Sequence, residues 1–205
     1  MLRRSFILLA AIALTACSLP CNAQNGYQQE ADRLASLLHW HTGSVVAEIG
    51  AGNGQLTLEA SQRVGPSGKV YTNELDPQKL KGLQQLAADH GNMVAIEGGE
   101  TSTNLPPACC DSIYMRLVYH HFTKPGEMDA SLFRSLRPGG RLAVIDEEPE
   151  PGSTVPPGVP KNRQGHGIPE KVLIDELTAA GFKAESVHKD WPNQLYCVIV
   201  SKPGP

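Results

Sequence analysis

The residues best suited to chemistry lie in one short run, "AEIGAGNGQL" (Ala47–Leu56), where Gly50, Gly52 and Gly54 separate an apolar stretch from a helix-like one. Glycine reaches φ > 0 and, lacking Cβ, lets a ligand lie against the backbone. A helix opening just after such a turn offers unpaired N–H groups and the positive end of its dipole, which suit a carboxylate or phosphate. Taken alone, the stretch fits either a partly anionic ligand or a tight turn that holds nothing. Its spacing narrows the choice of ligand. A dinucleotide site wants GxGxxG, and counting from Gly50 and Gly52 the third glycine would fall on Gln55. From Glu48 the run reads acid-x-G-x-G-x-G, which disfavours NAD and calls for another adenosine-containing ligand.

A second group of candidates follows in "MRLVYHHF" (Met115–Phe122). An imidazole titrates near pH 6.5, so His120 or His121 could act as a base or touch a substrate, with Tyr119 beside them. The bland alternative is a histidine pair that caps a strand or bonds to backbone carbonyls. Arg116 either points at the ligand pocket or forms a structural ion pair. Asp146-Glu147-Glu148 could hold a divalent metal, but successive strand residues face opposite ways, so a solvated acidic edge is expected there and no metal. His166, in a long loop, could reach a substrate. His39 and His41 flank Trp40, where helix-end packing is favoured over a lid. No Cys/His spacing suggests zinc. Adjacent Cys109 and Cys110 could bridge only through a strained ring, and with Cys197 they read as small buried apolar residues.

These candidates must be positioned by alternating strands and helices. "YQQEADRLASLLHW" sets Leu34, Leu37 and Leu38 on one helical face, and "SVVAEIG" is the first strand. "GQLTLEASQRVG" carries Leu56, Ala60 and Val64 at helical spacing and stops at Gly65-Pro66. "KVYTNEL" is the second strand; "DPQKLKGLQQLAADHG" is a helix with Asp76 as N-cap and Pro77 in its first turn. "NMVAIEG" and "DSIYMRLV" are the third and fourth strands, "GEMDASLFRSL" a helix ended by Pro138-Gly139-Gly140, and "RLAVID" the fifth strand. A proline- and glycine-rich loop, 147–168, is of a length usually functional or mobile. "PEKVLIDELTAAG" is the last helix, and "FKAESVHKD" and "NQLYCVIVSKP" are two strands joined around Trp191-Pro192. This order predicts an α/β fold: a seven-stranded, mostly parallel, doubly wound sheet with helices on both faces and an antiparallel C-terminal strand pair. Ligands of such sheets lie beyond the C-terminal ends of the strands, where the topology reverses.

At 205 residues the chain holds one domain with a real core. Its formal charge is −3, a poor match to nucleic acid phosphates. The first residues, "MLRRSFILLAAIALTACSLPCNAQ", have a basic start, a short apolar run and then small residues, the layout of an export signal. "LTAC" resembles a lipobox, which would make Cys17 a lipidated N-terminus; cleavage after Ala23 is the alternative, and an uncleaved anchor a third. The expected division is therefore a signal over 1–23 and one domain over 24–205. The expected location is outside the cytoplasm, periplasmic or tethered to a membrane through the N-terminus alone, the alternative being an anchored chain whose domain stays in the cytoplasm.

The run Glu48-Ile49-Gly50-Ala51-Gly52-Asn53-Gly54 resembles the first motif of the class I S-adenosylmethionine-dependent methyltransferases. "VYTNELDP" resembles the family's second-strand end, whose acid holds the ribose hydroxyls; Glu74 matches it, with Leu75 beside it. "IEGGETSTNLP" resembles the adenine-contacting segment, with Glu100 and Thr101 the best match, although the family usually has Asp there. "LRPGGRLAVID" and "YHHF" also resemble family segments. The resemblance spans Ser44 to about Ser201 and implies S-adenosylmethionine as cofactor. It places Glu48, Gly50, Ala51, Gly52, Asn53, Gly54, Glu74, Leu75, Glu100, Thr101 and Arg116 around the cofactor, with Tyr119, His120 and His121 near the reacting methyl. In-line transfer to an unidentified small-molecule acceptor is the expected activity, needing donor and acceptor held in line and a base only if the acceptor loses a proton. Protein carboxyl methylation of the isoaspartate-repair type and a non-catalytic cofactor-binding lipoprotein remain as alternatives.

Overall fold

Every strand anticipated from the sequence forms, and all of them share one sheet. The computed structural model describes residues 21–204. The elements are α1 (Cys21–Leu37), β1 (Val45–Ile49), α2 (Gln55–Val64), β2 (Lys69–Glu74), α3 (Pro77–Asp89), β3 (Met93–Glu97), β4 (Cys110–Arg116), α4 (Pro125–Ser135), β5 (Leu136–Asp146), α5 (Glu170–Ala179), β6 (Lys183–Trp191) and β7 (Leu195–Ser201). Their order across the sheet is β3-β2-β1-β4-β5-β7-β6, and β7 alone runs antiparallel to its neighbours. Chain order reverses between β1 and β4, which makes the crevice at their C-terminal ends the natural ligand position.

Strand alternation divides the core into two layers. Ala47, Ile49, Ile113, Met115, Leu142, Val144 and Val198 face α4 and α5, where Leu132, Leu173 and Leu177 close the layer. Val46, Tyr114, Ala143, Ile145, Cys197 and Ile199 face the opposite way onto Leu34, Leu56 and Ala60 of α1 and α2. Local signals set the helix ends. Asp76 accepts from the amides of Gln78 at 2.8 Å and Lys79 at 3.0 Å, and Pro77 opens α3. These contacts cap two of the donors that a helix start leaves unpaired.

Two boundaries differ from expectation. α1 begins at Cys21 rather than Tyr27. Pro138-Gly139-Gly140 does not separate α4 from its strand; it lies inside β5, as a bulge between the Cys110–Leu136 and Ser112–Arg141 pairs. Gly139, at φ 79°, donates its amide to Lys202 O at 2.9 Å, so the turn residues are absorbed by β5 meeting the end of β7. Residues 1–20 of the expected export segment, Cys17 among them, lie outside the described residues, and residues 21–23 belong to α1. Among the described residues no helix is long and apolar enough to cross a membrane.

Candidate functional site: a cavity over the sheet's reversal point

A cavity of about 460 Å³ lies along the C-terminal edge of β3, β2, β1 and β4. That volume is in the range of small-ligand sites. Glu100 and Glu74 mark one side, Gly50 and Gly52 the centre, and Arg116, Val118 and His121 the side toward β4.

The three glycines are needed for different reasons; at Gly50, φ 67°, a Cβ would stand 2.5 Å from Val118 on the cavity wall. Gly52, at φ 58°, would carry a Cβ with no atom within 4 Å, so its bare backbone borders open cavity. Gly54 is needed for packing: a Cβ there would stand 2.7 Å from Leu86 and 2.8 Å from Leu83 of α3. Gly54 is accordingly absent from the cavity wall, as are Ala51 and Thr101, while Asn53 borders a shallower groove over α3. Those four positions lie off the wall of the main cavity, and the spacing of the motif serves packing as well as the open wall.

Glu74 is tightly organised. Its Oε2 accepts from the Gly52 amide at 2.9 Å, and its Oε1 from the amides of Leu75 at 2.8 Å and Asp76 at 3.0 Å. A carboxylate offers about four acceptor positions, so one remains for a ligand hydroxyl without rearrangement, fewer than the two expected. Leu75 projects an apolar side chain, 54% exposed, into the same end of the cavity.

Glu48 is also a correction. As a β1 residue on the face of Val46, it points beneath α2 and not into the cavity. Thr57 and Tyr114 hydroxyls donate to its Oε2, the latter at 3.3 Å, and burial pushes its carboxyl up to about 8, against the opposing pull of those two hydrogen bonds. A buried, largely protonated carboxyl does not receive a ligand's ammonium group.

Arg116 meets both expectations for it at once. Its Nε donates to both carboxylate oxygens of Glu30 at 3.1 Å, and its side chain lines the cavity. Trp191 Nε1 donates to the same Glu30 at 2.7 Å, so α1 and β6 together hold the guanidinium in place.

Beyond β4, Leu117 takes a left-handed conformation at φ 55°, and this turns the following residues in unequal directions. Tyr119 goes into the core. Its hydroxyl lies 2.8 Å from Asp129 Oδ2 and 3.1 Å from Glu176 Oε2, and burial with these two carboxylates raises the phenol far above its usual range. It therefore has no catalytic position. His120 is fully buried, its Nδ1 2.6 Å from Asp146 Oδ1. His121 is exposed and borders the cavity, and burial, then His120 and His166, lower its pKa.

The acidic triple at the end of β5 is a solvated edge only in part: Glu148 is exposed and Glu147 partly so, while Asp146 is not. Asp146 is wholly buried and accepts from the His120 amide at 3.2 Å and the Glu147 amide at 2.9 Å as well as from the His120 ring. Glu147 Oε1 lies 3.0 Å from His166 Nδ1. The long loop is fastened by a residue the sequence reading passed over: Arg163, fully buried, grips Glu176 of α5 through Nη1 at 2.7 Å and Nη2 at 2.9 Å. That grip brings His166 to within 4.7 Å of His120, centroid to centroid. Trp40 packs at the helix end as favoured, bonded to Ser112 and tilted against Tyr114.

A sheet of this order with a glycine turn, a ribose-type acid and an open reversal crevice defines the class I S-adenosylmethionine-dependent methyltransferase fold. Residues 47–144 match the family described as "Methyltransferase domain". A ubiquinone/menaquinone biosynthesis C-methyltransferase, UbiE, from Hahella chejuensis is 30% identical over 107 residues, 51% of this chain and 43% of that relative. The chain thus spans less than half the length of that curated relative. Among solved structures, a SAM-dependent methyltransferase from Aquifex aeolicus superposes with a TM-score of 0.71 at 21% identity, covering 89% of this chain and 93% of the other. Geranyl diphosphate methyltransferase in complex with SAM superposes with a TM-score of 0.67 at 13% identity, covering 85% of each chain. At those identities the superpositions establish the fold.

Proposed function

We propose that this protein transfers a methyl group from S-adenosylmethionine to a small-molecule acceptor. The observation that carries the reading is one cavity bordered at once by the bare Gly52 backbone, the Glu74 carboxylate, the Leu75 side chain and the Arg116 guanidinium. These groups match a ligand with a hydroxylated, apolar-faced nucleoside at one end and a carboxylate at the other. The donor, when bound, supplies an electrophilic methyl on a sulfonium, so the protein needs no nucleophile of its own. Glu74 takes a ribose hydroxyl on its remaining acceptor position. Arg116, held from behind by Glu30, pairs with the carboxylate of the methionine end. Leu75 covers an apolar face. His121 stands on the β4 side, where the acceptor has to approach.

A cavity of about 460 Å³ is in the range of small-ligand sites, which supports a small acceptor over a polypeptide side chain. C-methylation, the activity named for the UbiE relative, is one candidate reaction among O-, N- and S-transfers. The N-terminal segment is read, on residue order alone, as an export signal cleaved before a lipidated Cys17 or after Ala23, with an uncleaved anchor as the alternative; protease accessibility in intact cells tests it. Calorimetry of the purified protein with S-adenosylmethionine and S-adenosylhomocysteine tests the cofactor reading, with micromolar binding expected. A folded protein that gives no heat with either compound defeats it. Labelled donor with a panel of phenols, thiols, amines and carboxylates then identifies the acceptor.

A further inference from the structure

Three imidazoles converge beside the cavity, from two segments far apart in the chain. His120 and His121 come from the short turn after β4 and His166 from the end of the long loop, and each offers a ring nitrogen within 4.8 Å of the others. The His120–His121 centroids are 4.0 Å apart and the His121–His166 centroids 5.4 Å.

Each of two rings is already oriented for that. Asp146, fixed by two backbone amides, takes the Nδ1 proton of His120, which leaves Nε2 as the lone-pair nitrogen. That Nε2 is buried and has no hydrogen-bond partner, an uncommon state for a polar atom in a folded protein. Glu147 stands in the same relation to His166 Nδ1 at 3.0 Å, and the His166 amide is itself held by Ser153 Oγ at 2.8 Å. A carboxylate behind each imidazole is the arrangement that fixes the tautomer and raises the basicity of metal-ligating histidines.

We propose that His120, His121 and His166 bind a late first-row divalent cation, with Zn2+ the best match, at the acceptor side of the cavity. Imidazole donors favour this group of metals over magnesium or calcium, which take oxygen ligands. Ideal tetrahedral coordination at 2.0–2.1 Å puts ligand nitrogens about 3.4 Å apart. His120 is immobile, so closure comes from the rings of His121 and His166, both of which retain solvent exposure. Three protein ligands leave a fourth position open. Because His121 borders the cavity, that position faces the space assigned to the acceptor, where the ion would bind an oxygen or sulfur atom of the acceptor and favour its deprotonated form. This role rests on the methyltransferase reading; the binding of the ion does not. In this assignment His121 is a ligand and not a base.

The test uses chelator-stripped purified protein titrated with Co2+, whose visible absorption separates four-coordinate from octahedral sites, and with Zn2+ in competition. One Co2+ per chain with an intense four-coordinate spectrum, displaced by Zn2+, is the expected result. His166→Ala should weaken binding by about 100-fold or more and Glu147→Gln by about 10- to 100-fold, while His188→Ala, half-buried on the edge strand β6 and outside the cluster, leaves it unchanged. The His166 side chain is 45% exposed on a loop, so its removal spares the core, and thermal unfolding without metal should be the same as for the parent. Only weak, octahedral Co2+ binding, or four-coordinate binding that survives His166→Ala, overturns the proposal. Calorimetry with S-adenosylhomocysteine on stripped protein is read separately. Donor binding without a metal site sinks this inference alone, and a metal site without donor binding sinks the methyltransferase reading alone.

Discussion

The amide of Gly52 donates to Oε2 of Glu74 at 2.9 Å, joining the end of β1 to the end of β2 across the floor of the cavity. The glycine turn and the acid that sequence comparison treats as two motifs are one structural unit. Glu74→Gln removes the charge from this unit and reverses one of its hydrogen-bonding partners. Hydrogen bonds to a charged group contribute about 1.5–3 kcal/mol, so affinity for S-adenosylhomocysteine should fall roughly 10- to 100-fold in calorimetry. Unchanged affinity would remove Glu74 from the donor site.

Arg116 gives a sharper discrimination. Arg116→Met should weaken S-adenosylhomocysteine by about 10-fold or more yet leave adenosine, which has no carboxylate, unaffected. Equal losses for both ligands would mean that the guanidinium only supports the fold through Glu30. The same variant should be less stable, because Glu30 keeps a buried charge with Trp191 alone.

Glu48 predicts a pH dependence of stability. Its carboxyl is raised from 4.5 to about 8 in the folded chain, so between those values the native state holds a proton that the unfolded chain releases. Its contribution to stability is complete below pH 4.5, declines as pH rises through the window and changes no further above about 8. Asp129, raised by burial from 3.8 to about 7, acts with the same sign. One proton amounts to about 1.4 kcal/mol per pH unit. Urea unfolding at pH 5 and pH 8 should therefore show a smaller loss for Glu48→Gln than for the parent, by roughly 4 kcal/mol at most. Parallel curves for the two proteins would contradict the burial argument.

Tyr119→Phe separates structure from catalysis. It deletes the hydroxyl that reaches Asp129 and Glu176, and a buried carboxyl left without its partner costs about 1–3 kcal/mol. The unfolding midpoint in urea should drop while kcat with any acceptor found stays at the parent's value. A large fall in kcat with stability intact would return Tyr119 to the site.

Much of this was readable from local chemistry. The strands and helices announce themselves through periodicity and through Asp76-Pro77, and Gly52, Glu74, Leu75 and Arg116 sit at strand ends where parallel topology has to present them. Glu48 and Tyr119 were misplaced for reasons of direction. Alternation along β1 sends Glu48 under α2, and the left-handed Leu117 rotates Tyr119 inward, neither of which residue type reveals. The histidine trio was out of reach for another reason: His166 meets His120 through contacts between separate segments, among them the ion pair of Arg163 with Glu176 and the contact of the His166 amide with Ser153, which leave no periodic trace.

That ion pair also divides the loop into two parts with different freedoms. Past Arg163 the chain is committed, delivering His166 and then the buried Ile168 into α5. Before it, Gly158 lies against Thr123 on the cavity wall. A side-chain exchange beside Gly158 can press on Thr123 while the residues at the ends of β1 and β2 stay as they are, so the rim of the chamber can evolve separately from its floor.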